Sequence, residues 1–403
     1  MRGKQKKVLF VVYTLEMGGV TSALLNLLRT LKTCKNLQLD VLALDGKPCA
    51  DDSFPIGCRL LRTPTWIRNC YSVKADVFAG KSVMAKGQYL FSRVLRKGFG
   101  WERSACLISK WSALSEEYDA AIAYANDIFD RSGRCITCGC NQFVLHGVRA
   151  KKKFAWIHCM PELAGYTGEI AGRLYADFDG VVSCNEACKA LLNALAPQLA
   201  EKSFAVNNVL DEKSIREKAA VHHPYEGDGA HIVTVGRIEH VSKRMDRIPL
   251  IIKELHARGK KNLVWHVVGD GGDAPRLRTQ IQEAELEGCI IMHGRQDNPY
   301  PYIADADVYV QTSDSEAMPM VILEALLLKT PVVSTDFPAA LEMVPKEAGL
   351  VAAKTPEAIA DAICEVLDYR ERFTAYEFKQ RGKAQFLQLI CSGETEEYHE
   401  IQV

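Results

Sequence analysis

The chain lacks any uncharged apolar run approaching the ~18 residues that a membrane span needs. It also lacks net charge: 50 Lys and Arg stand against 50 Asp and Glu. That balance argues against a dedicated nucleic-acid binder, which would be basic overall, and against an acidic disordered chain. Internal repeats and low-complexity tracts are missing too. With 48% apolar and 25% charged residues, fibre, disorder and integral membrane protein are excluded. A secretory signal is not indicated either. Met1–Lys7 is basic and Val8–Leu15 apolar apart from Thr14, but Glu16 interrupts the run and no small-residue cleavage site follows. The stretch reads as a first β-strand.

Cysteine is not scarce. Fourteen are present, and without a secretory signal they read as reduced thiols of a cytoplasmic protein. Cys135, Cys138 and Cys140 form the one cluster. A structural zinc site wants four ligands; here His146, His158 or Cys159 would have to supply the fourth. Small buried residues on a helix or loop are the better reading, and no metal is expected.

At roughly 150 residues per domain, 403 residues suggest two domains. Apolar, β-branched runs mark strands at Lys7–Tyr13, Leu37–Leu44, Ala120–Tyr124, Phe154–His158, Gly180–Cys184 and Phe204–Asn208. A second series follows at His231–Gly236, Leu263–Gly269, Cys289–Gly294, Val308–Thr312 and Pro331–Thr335. Helical patterns lie between, among them Val20–Leu31, Glu186–Leu195, Asp246–Arg258, Arg276–Glu287, Pro319–Leu328 and Pro356–Leu367. Such alternation means βαβ units and parallel sheets covered on both faces. Asp211–Gly229 lacks a strand pattern and is the expected boundary. The expected division is 1–210, 211–385, and an acidic tail 386–403 that returns to the first domain.

Two stretches carry candidate chemistry. In the first, SDSEAMPMVILEALLLKTPVVSTD (Ser313–Asp336), Pro319 suits a first helical turn and opens a helix apolar nearly all round. Glu324 is the lone carboxylate inside that helix. Glu316 lies eight residues earlier, in the loop feeding the helix N-terminus, where free N–H groups favour an anion. The pair suits the hydroxyls of a sugar nucleotide; the plainer alternative is a solvent-facing Glu324 and a capping Glu316. In the second stretch, HIVTVGRIEHVSKRMDR (His231–Arg247), Arg237 follows a strand that ends at Gly236. Lys243 and Arg244 come just ahead of a helix. Such cations would neutralise a diphosphate, or form an ordinary solvated basic turn.

Read in order, VGR–x(5)–K–x(2)–D, the E–x(7)–E pair of SEAMPMVILEA, and TPVVSTD resemble a retaining glycosyltransferase of glycosyltransferase family 4, with the GT-B fold. Further segments resemble the same family: MGGVTSALLNLL (Met17–Leu28), KFAWIH (Lys153–His158), VVSCNEACKALL, NNVLD (Asn207–Asp211) and HGRQDNPYPYIADADVYVQTS. Matches run from Lys7 to about Leu367; about Asp52–Glu117 and the residues after Leu367 are unmatched.

The resemblance implies two doubly wound Rossmann-like domains whose parallel sheets face a central cleft. It implies transfer of a sugar from a nucleotide diphosphate, with uridine as the expected base, to a hydroxyl of a glycan or lipid-linked glycan acceptor, as in envelope or capsular polysaccharide synthesis. Configuration would be retained, with a phosphate oxygen taking the acceptor's proton and no protein nucleophile. The nucleotide sugar is substrate; no cofactor or metal is implied. Arg237 and Lys243 should hold the diphosphate, Glu324 the ribose hydroxyls and Glu316 the transferred sugar. Met318, Pro319, Met320 and Val321 should present backbone to sugar and phosphate. Gly18 and Gly19, like Gly236, should let backbone approach the donor. His158 should lie beside the sugar and Arg295 should frame the base. The commoner family loop is E-G-F-G; here Glu316-Ala317-Met318-Pro319 replaces it, and Pro319 has no N–H to donate.

Two rivals remain. Gly269-Asp270-Gly271-Gly272-Asp273-Ala274 satisfies the dinucleotide pattern of a nicotinamide oxidoreductase. Its aspartates would repel a pyrophosphate, however, and the next strand lacks the acidic residue the pattern needs, so a structural turn is expected. A sugar-nucleotide binder without turnover is the other rival. Finally, Arg68–Lys110 holds nine Lys or Arg against Asp76 and Glu102, interleaved with Tyr71, Phe78, Tyr89, Phe91, Phe99 and Trp101, and Trp111 follows. It reads first as a solvated helix pair whose aromatics fill the core. The alternative is a peripheral surface for anionic lipid at the inner membrane face.

Overall fold

The computed structural model describes residues 5–391 except 17, 50–53, 73, 81, 137 and 138. The chain forms two compact units, 1–209 with 381–403, and 210–380.

In the first unit the strands are β1 (Lys6–Val12), β2 (Leu37–Ala43), β3 (Arg59–Leu60), β4 (Glu117–Ala123), β5 (Arg149–Ile157), β6 (Gly180–Ser183) and β7 (Ser203–Ala205). They lie in the order β3-β2-β1-β4-β5-β6-β7, and every pairing is parallel. Val8 to Val12 are all buried, as a strand covered on both faces requires. The chain winds outward from β1 to β3, then returns beside β1 as β4, so the switch point lies between β1 and β4. β4 and β5 begin earlier than their apolar cores because charges pair across them. Lys151 Nζ lies 2.7 Å from Asp119 and Arg149 lies 3.6 Å from Glu117.

The second unit holds β8 (Ala230–Val235), β9 (Leu263–Val268), β10 (Ile290–Gly294), β11 (Val308–Gln311), β12 (Val332–Thr335) and β13 (Gly349–Ala352). Their order is β10-β9-β8-β11-β12-β13, again all parallel. The switch point falls between β8 and β11. A polar chain inside the core ties the neighbouring strands: Trp265 Nε1 donates to Thr234 Oγ1 at 3.1 Å, and that hydroxyl donates to Val310 O at 2.8 Å. All these groups are satisfied, so their hydrogen bonds offset the cost of burying them.

Three readings of the sequence gain detail here. The expected boundary segment Asp211–Gly229 has structure of its own. It contains the helix Glu212–Ala219, capped by the Asp211 side chain accepting from Ser214 N at 3.3 Å, and Tyr225 is fixed by donation from its hydroxyl to Tyr302 O. Second, the chain rejoins the first unit at Arg381 rather than 386. The helix Gly382–Ile390 stacks Phe386 on Phe10 at 5.6 Å, and Lys6 Nζ donates to Ile390 O at 3.2 Å. Third, the aromatics between Arg68 and Trp111 divide. Tyr71 and Tyr89 are buried, while Phe78, Phe91, Phe99 and Trp111 are exposed, so only part of the set fills the core.

Candidate functional site

In an open parallel sheet, ligands bind beyond the strand C-termini at the switch point. In the second unit those termini belong to β8 and β11, and the loops after them carry the candidate charges. Lys243, in the loop after β8, places Nζ 2.6 Å from Glu316 Oε1, in the loop after β11. The same oxygen accepts from Ser313 Oγ at 2.9 Å and Gln311 Nε2 at 3.3 Å. The backbones are bonded as well: Asp314 N donates to Ser242 O at 2.7 Å and Thr312 Oγ1 to Lys243 O at 2.8 Å. Behind them Arg244 adopts a left-handed conformation, φ 52°. Its guanidinium bonds Asp246 and Asp314, while Arg247 reaches Asp314 at 2.6 Å and Thr312 O at 2.7 Å. This network offsets the cost of an L residue at positive φ.

Arg237 differs from these. It is exposed directly after Gly236 and makes no ion pair with any described residue. An unpaired guanidinium at a switch point is free to meet an anion. Ala317 and Pro319 are buried, Met318 and Met320 half-buried, and Pro319 precedes the helix Met320–Leu327 at φ −65°. Val321 lies in that helix's first turn. Glu324 sits one turn further on. Its carboxyl has no hydrogen bond or ion pair among the described residues, and burial pushes its pKa up to about 7. Arg295 is exposed after β10, two strands from β8.

The Gly269–Ala274 turn is occupied by protein. A Cβ on Gly269 would lie 1.8 Å from Gly236 O, and one on Gly271 2.2 Å from Ile238 O. Ile238 N donates to Asp270 O and His240 N to Asp273 Oδ2. The turn braces the loop that carries Arg237, which leaves no room for a pyrophosphate against Gly269 or Gly271. The oxidoreductase reading loses its motif.

In the first unit, Gly18 and Gly19 open the helix Gly19–Leu31, and a Cβ on either would meet nothing within 4 Å. Internal packing therefore does not require glycine at these positions. His158 follows β5. Its ring lies over Tyr124 at 4.4 Å and stacks on Trp156 at 5.7 Å, its backbone N–H donates to Asn126 Oδ1 at 3.2 Å, and Nε2 has no partner. Burial holds its pKa down at about 3, so the imidazole is neutral at physiological pH and offers a hydrogen bond rather than a charge. Cys138 lies outside the described residues; Cys135 and Cys140 are thiols, and no group of three or more His, Cys, Asp or Glu among the described residues could hold a metal.

The sequence reading passed over Gln311, Ser313, Asp314 and Arg247. A signal was available. The polar run Gln311–Glu316 directly follows an apolar strand, where side chains leave the sheet for the ligand edge.

Residues 229–369 match the protein family described as Glycosyl transferases group 1. Both switch-point loops fall inside that range. The chain is 24% identical over 242 residues to a lipopolysaccharide 1,6-galactosyltransferase of Escherichia coli K12, covering 57% of this chain and 59% of that protein. It thus spans less than two thirds of the length of this curated relative. It is 29% identical over 136 residues, 34% of this chain and 35% of the other, to an N-acetylgalactosamine-N,N'-diacetylbacillosaminyl-diphospho-undecaprenol 4-alpha-N-acetylgalactosaminyltransferase of Campylobacter jejuni. Among solved structures, Anabaena Alr3699/HepE in complex with UDP has a TM-score of 0.60 at 16% identity, covering 98% of this chain and 97% of that one. TarM, which is from Staphylococcus aureus, has a TM-score of 0.63 at 14% identity, covering 99% and 98%. The fold is GT-B.

Proposed function

We propose that the protein is a glycosyltransferase that moves a sugar from a uridine diphosphate donor to a hydroxyl of a glycan or lipid-linked glycan, with retention of configuration. The observation that carries this is the convergence of Arg237, Lys243 and Glu316 at the ends of β8 and β11, inside the range matched by the glycosyltransferase family. Arg237 and Lys243 meet the charge that grows on the departing diphosphate, aided by the N-terminus of the helix Met320–Leu327. Lys243 is held meanwhile by Glu316, so the cation is positioned before the anion arrives. Glu316 then orients the sugar, and Glu324, which has no partner among the described residues, accepts the ribose hydroxyls. For the first unit, the family resemblance gives donor recognition to Gly18, Gly19 and His158; a neutral His158 offers a hydrogen bond rather than a charge.

The glycan acceptor is read from the relatives, whose names include lipopolysaccharide and undecaprenol-linked sugars. Incubation with labelled UDP-sugars and candidate acceptors tests the proposal, with the anomeric configuration of the product read by NMR. An inverted product sinks the retaining step. Absence of both transfer and donor hydrolysis, with UDP still bound, leaves a nucleotide-sugar binder.

A further inference from the structure

The strand β11 leads into a buried polar chain that the proposed reaction does not use. Tyr309 and Gln311, two apart on the strand, share a face, and both are buried, as is Ser313 just beyond them. The Tyr309 hydroxyl donates to Gln311 Oε1. Gln311 Nε2 donates to Ser313 Oγ at 2.6 Å and to Glu316 Oε1 at 3.3 Å. Ser313 Oγ donates to the same Glu316 oxygen at 2.9 Å. Thr335 Oγ1, from β12, donates to Ser313 O and fixes the backbone there.

Each step of this chain runs in one direction. Burial raises the Tyr309 phenol well above its ordinary pKa, so it keeps its proton and can donate. A Gln311 amide turned the other way would set a second acceptor against the Glu316 carboxylate, and Ser313, with one O–H, could not donate to both. Ser313 therefore accepts from Gln311 and passes its proton to Glu316. Three donors converge on one atom: Glu316 Oε1 takes Ser313, Gln311 and, at 2.6 Å, Lys243 Nζ. Glu316 Oε2 has no hydrogen bond or ion pair with any described residue, and the side chain keeps 16% exposure. An apolar residue at 311 would fill the space without any polar group to satisfy. A buried polar chain that stops on a single carboxylate oxygen does something an apolar residue does not: it orients that carboxylate.

We propose that Gln311 is a positioning residue for sugar transfer: with Tyr309 and Ser313 it pins Glu316 through Oε1, so that Oε2 alone is presented to a hydroxyl of the transferred sugar. This rests on the proposed function and deepens it. The two oxygens of one carboxylate divide the work. Oε1 holds Lys243 ready for the diphosphate, and Oε2 accepts from the sugar. Rotation of the carboxylate would give up three hydrogen bonds, two of them from buried groups, so its aim is set before the donor arrives. Gln311 acts through Glu316 and not on the substrate itself.

Calorimetric titration of the full chain with UDP, UDP-glucose, UDP-galactose and UDP-N-acetylglucosamine tests it. Gln311→Met nearly conserves volume and removes both donated hydrogen bonds. It should weaken the UDP-sugar that wild type binds best by about five- to tenfold, and UDP by less than about twofold. Tyr309→Phe only frees the amide to turn. It should show the same selectivity at about threefold, and it carries the test if Gln311→Met does not fold. In Gln311→Glu a second carboxyl meets Glu316 and can donate only while protonated. Its affinity for the UDP-sugar, relative to wild type, should therefore recover as pH falls from about 8 to about 5. Lys243 and Glu316 flank that position, Tyr309 lies behind it, and Glu324 titrates in the same window, so wild type is the reference at every pH. Equal loss of UDP and UDP-sugar in the Gln311→Met and Tyr309→Phe variants, or loss of neither, overturns the inference and leaves the donor site standing. A deficit in Gln311→Glu that does not change with pH overturns it as well. Wild type that binds neither UDP nor any of the three UDP-sugars overturns both the inference and the function it rests on.

Discussion

Ion pairs occur in both units, but the residues singled out as candidates in each are held differently. At the switch point of the second unit, acids and bases neutralise one another: Lys243 with Glu316, and Arg244 and Arg247 with Asp314. Arg237 and Glu324, one of each sign, make no ion pair with any described residue. In the first unit His158 Nε2 has no partner among the described residues, and Arg96, bonded to Cys70 O, has no carboxylate beside it there. A paired network fixes geometry before a ligand arrives, which suits stabilising charge that appears only in the transition state. Unpaired groups are completed by what binds them, which suits recognition of sugar. Under the proposed function, this difference would give charge stabilisation to the loops of 210–380 and sugar recognition to His158.

The sharpest way to break this division is to remove the second unit's cations. Arg237→Ala or Lys243→Ala should lower the transfer rate by about 100-fold or more, acting on kcat more than on donor binding. Near wild-type rates at saturating donor in both variants would end the assignment. Next comes Glu324. With its pKa raised to about 7 from 4.5, the folded chain keeps a proton that the unfolded chain has lost. Stability therefore falls as pH rises from the unfolded value to the folded one and stays lowered above it. Glu324→Gln should abolish this loss, raising ligand-free stability above about pH 8 by on the order of 2 kcal/mol after allowance for partial exposure. Identical melting curves at that pH would show the carboxyl to be well solvated.

His158 gives the opposite sign. Its pKa is depressed to about 3 from 6.5, so stability is lost as pH falls between those values, at about 1 kcal/mol per pH unit. His266 behaves alike. It is also held at about 3, packed between His231 at 3.1 Å and His293 at 2.9 Å. His158→Gln should soften the acid loss without removing it, as melting temperatures across about pH 7 to 4 will show; an unaltered slope would mean that His158 is protonated in the fold. The smallest expected effect is none at all: chelation of divalent ions should leave transfer intact, because protein cations meet the diphosphate.

Much of this architecture was legible in the sequence, and the exceptions share a cause. Apolar strands such as Val8–Val12 declare themselves because burial on both faces demands an unbroken apolar run. β3, two exposed residues long, has no such demand. The charged start of β5 is held by pairing to β4, which no local pattern reveals. The helix Gly382–Ile390 is placed by contacts with Phe10 and Asn207, far away in sequence. Spacing singled out Arg237, Lys243, Glu316 and Glu324 as candidates, but it could not show that Lys243 and Glu316 are partners while Glu324 has none among the described residues. It also marked Arg68–Lys110 as basic and aromatic without revealing that Val83, Leu90 and Val94 point outward.

The central claim is that the second unit holds a nucleoside diphosphate through one unpaired cation and one unpaired carboxylate, and calorimetric titration of UDP into wild type, Glu324→Gln and Glu316→Gln tests it most directly. The account predicts that Glu324→Gln weakens UDP by about tenfold, that Glu316→Gln leaves UDP nearly unchanged, and that both weaken the intact UDP-sugar. Equal UDP affinity in Glu324→Gln and wild type would contradict it.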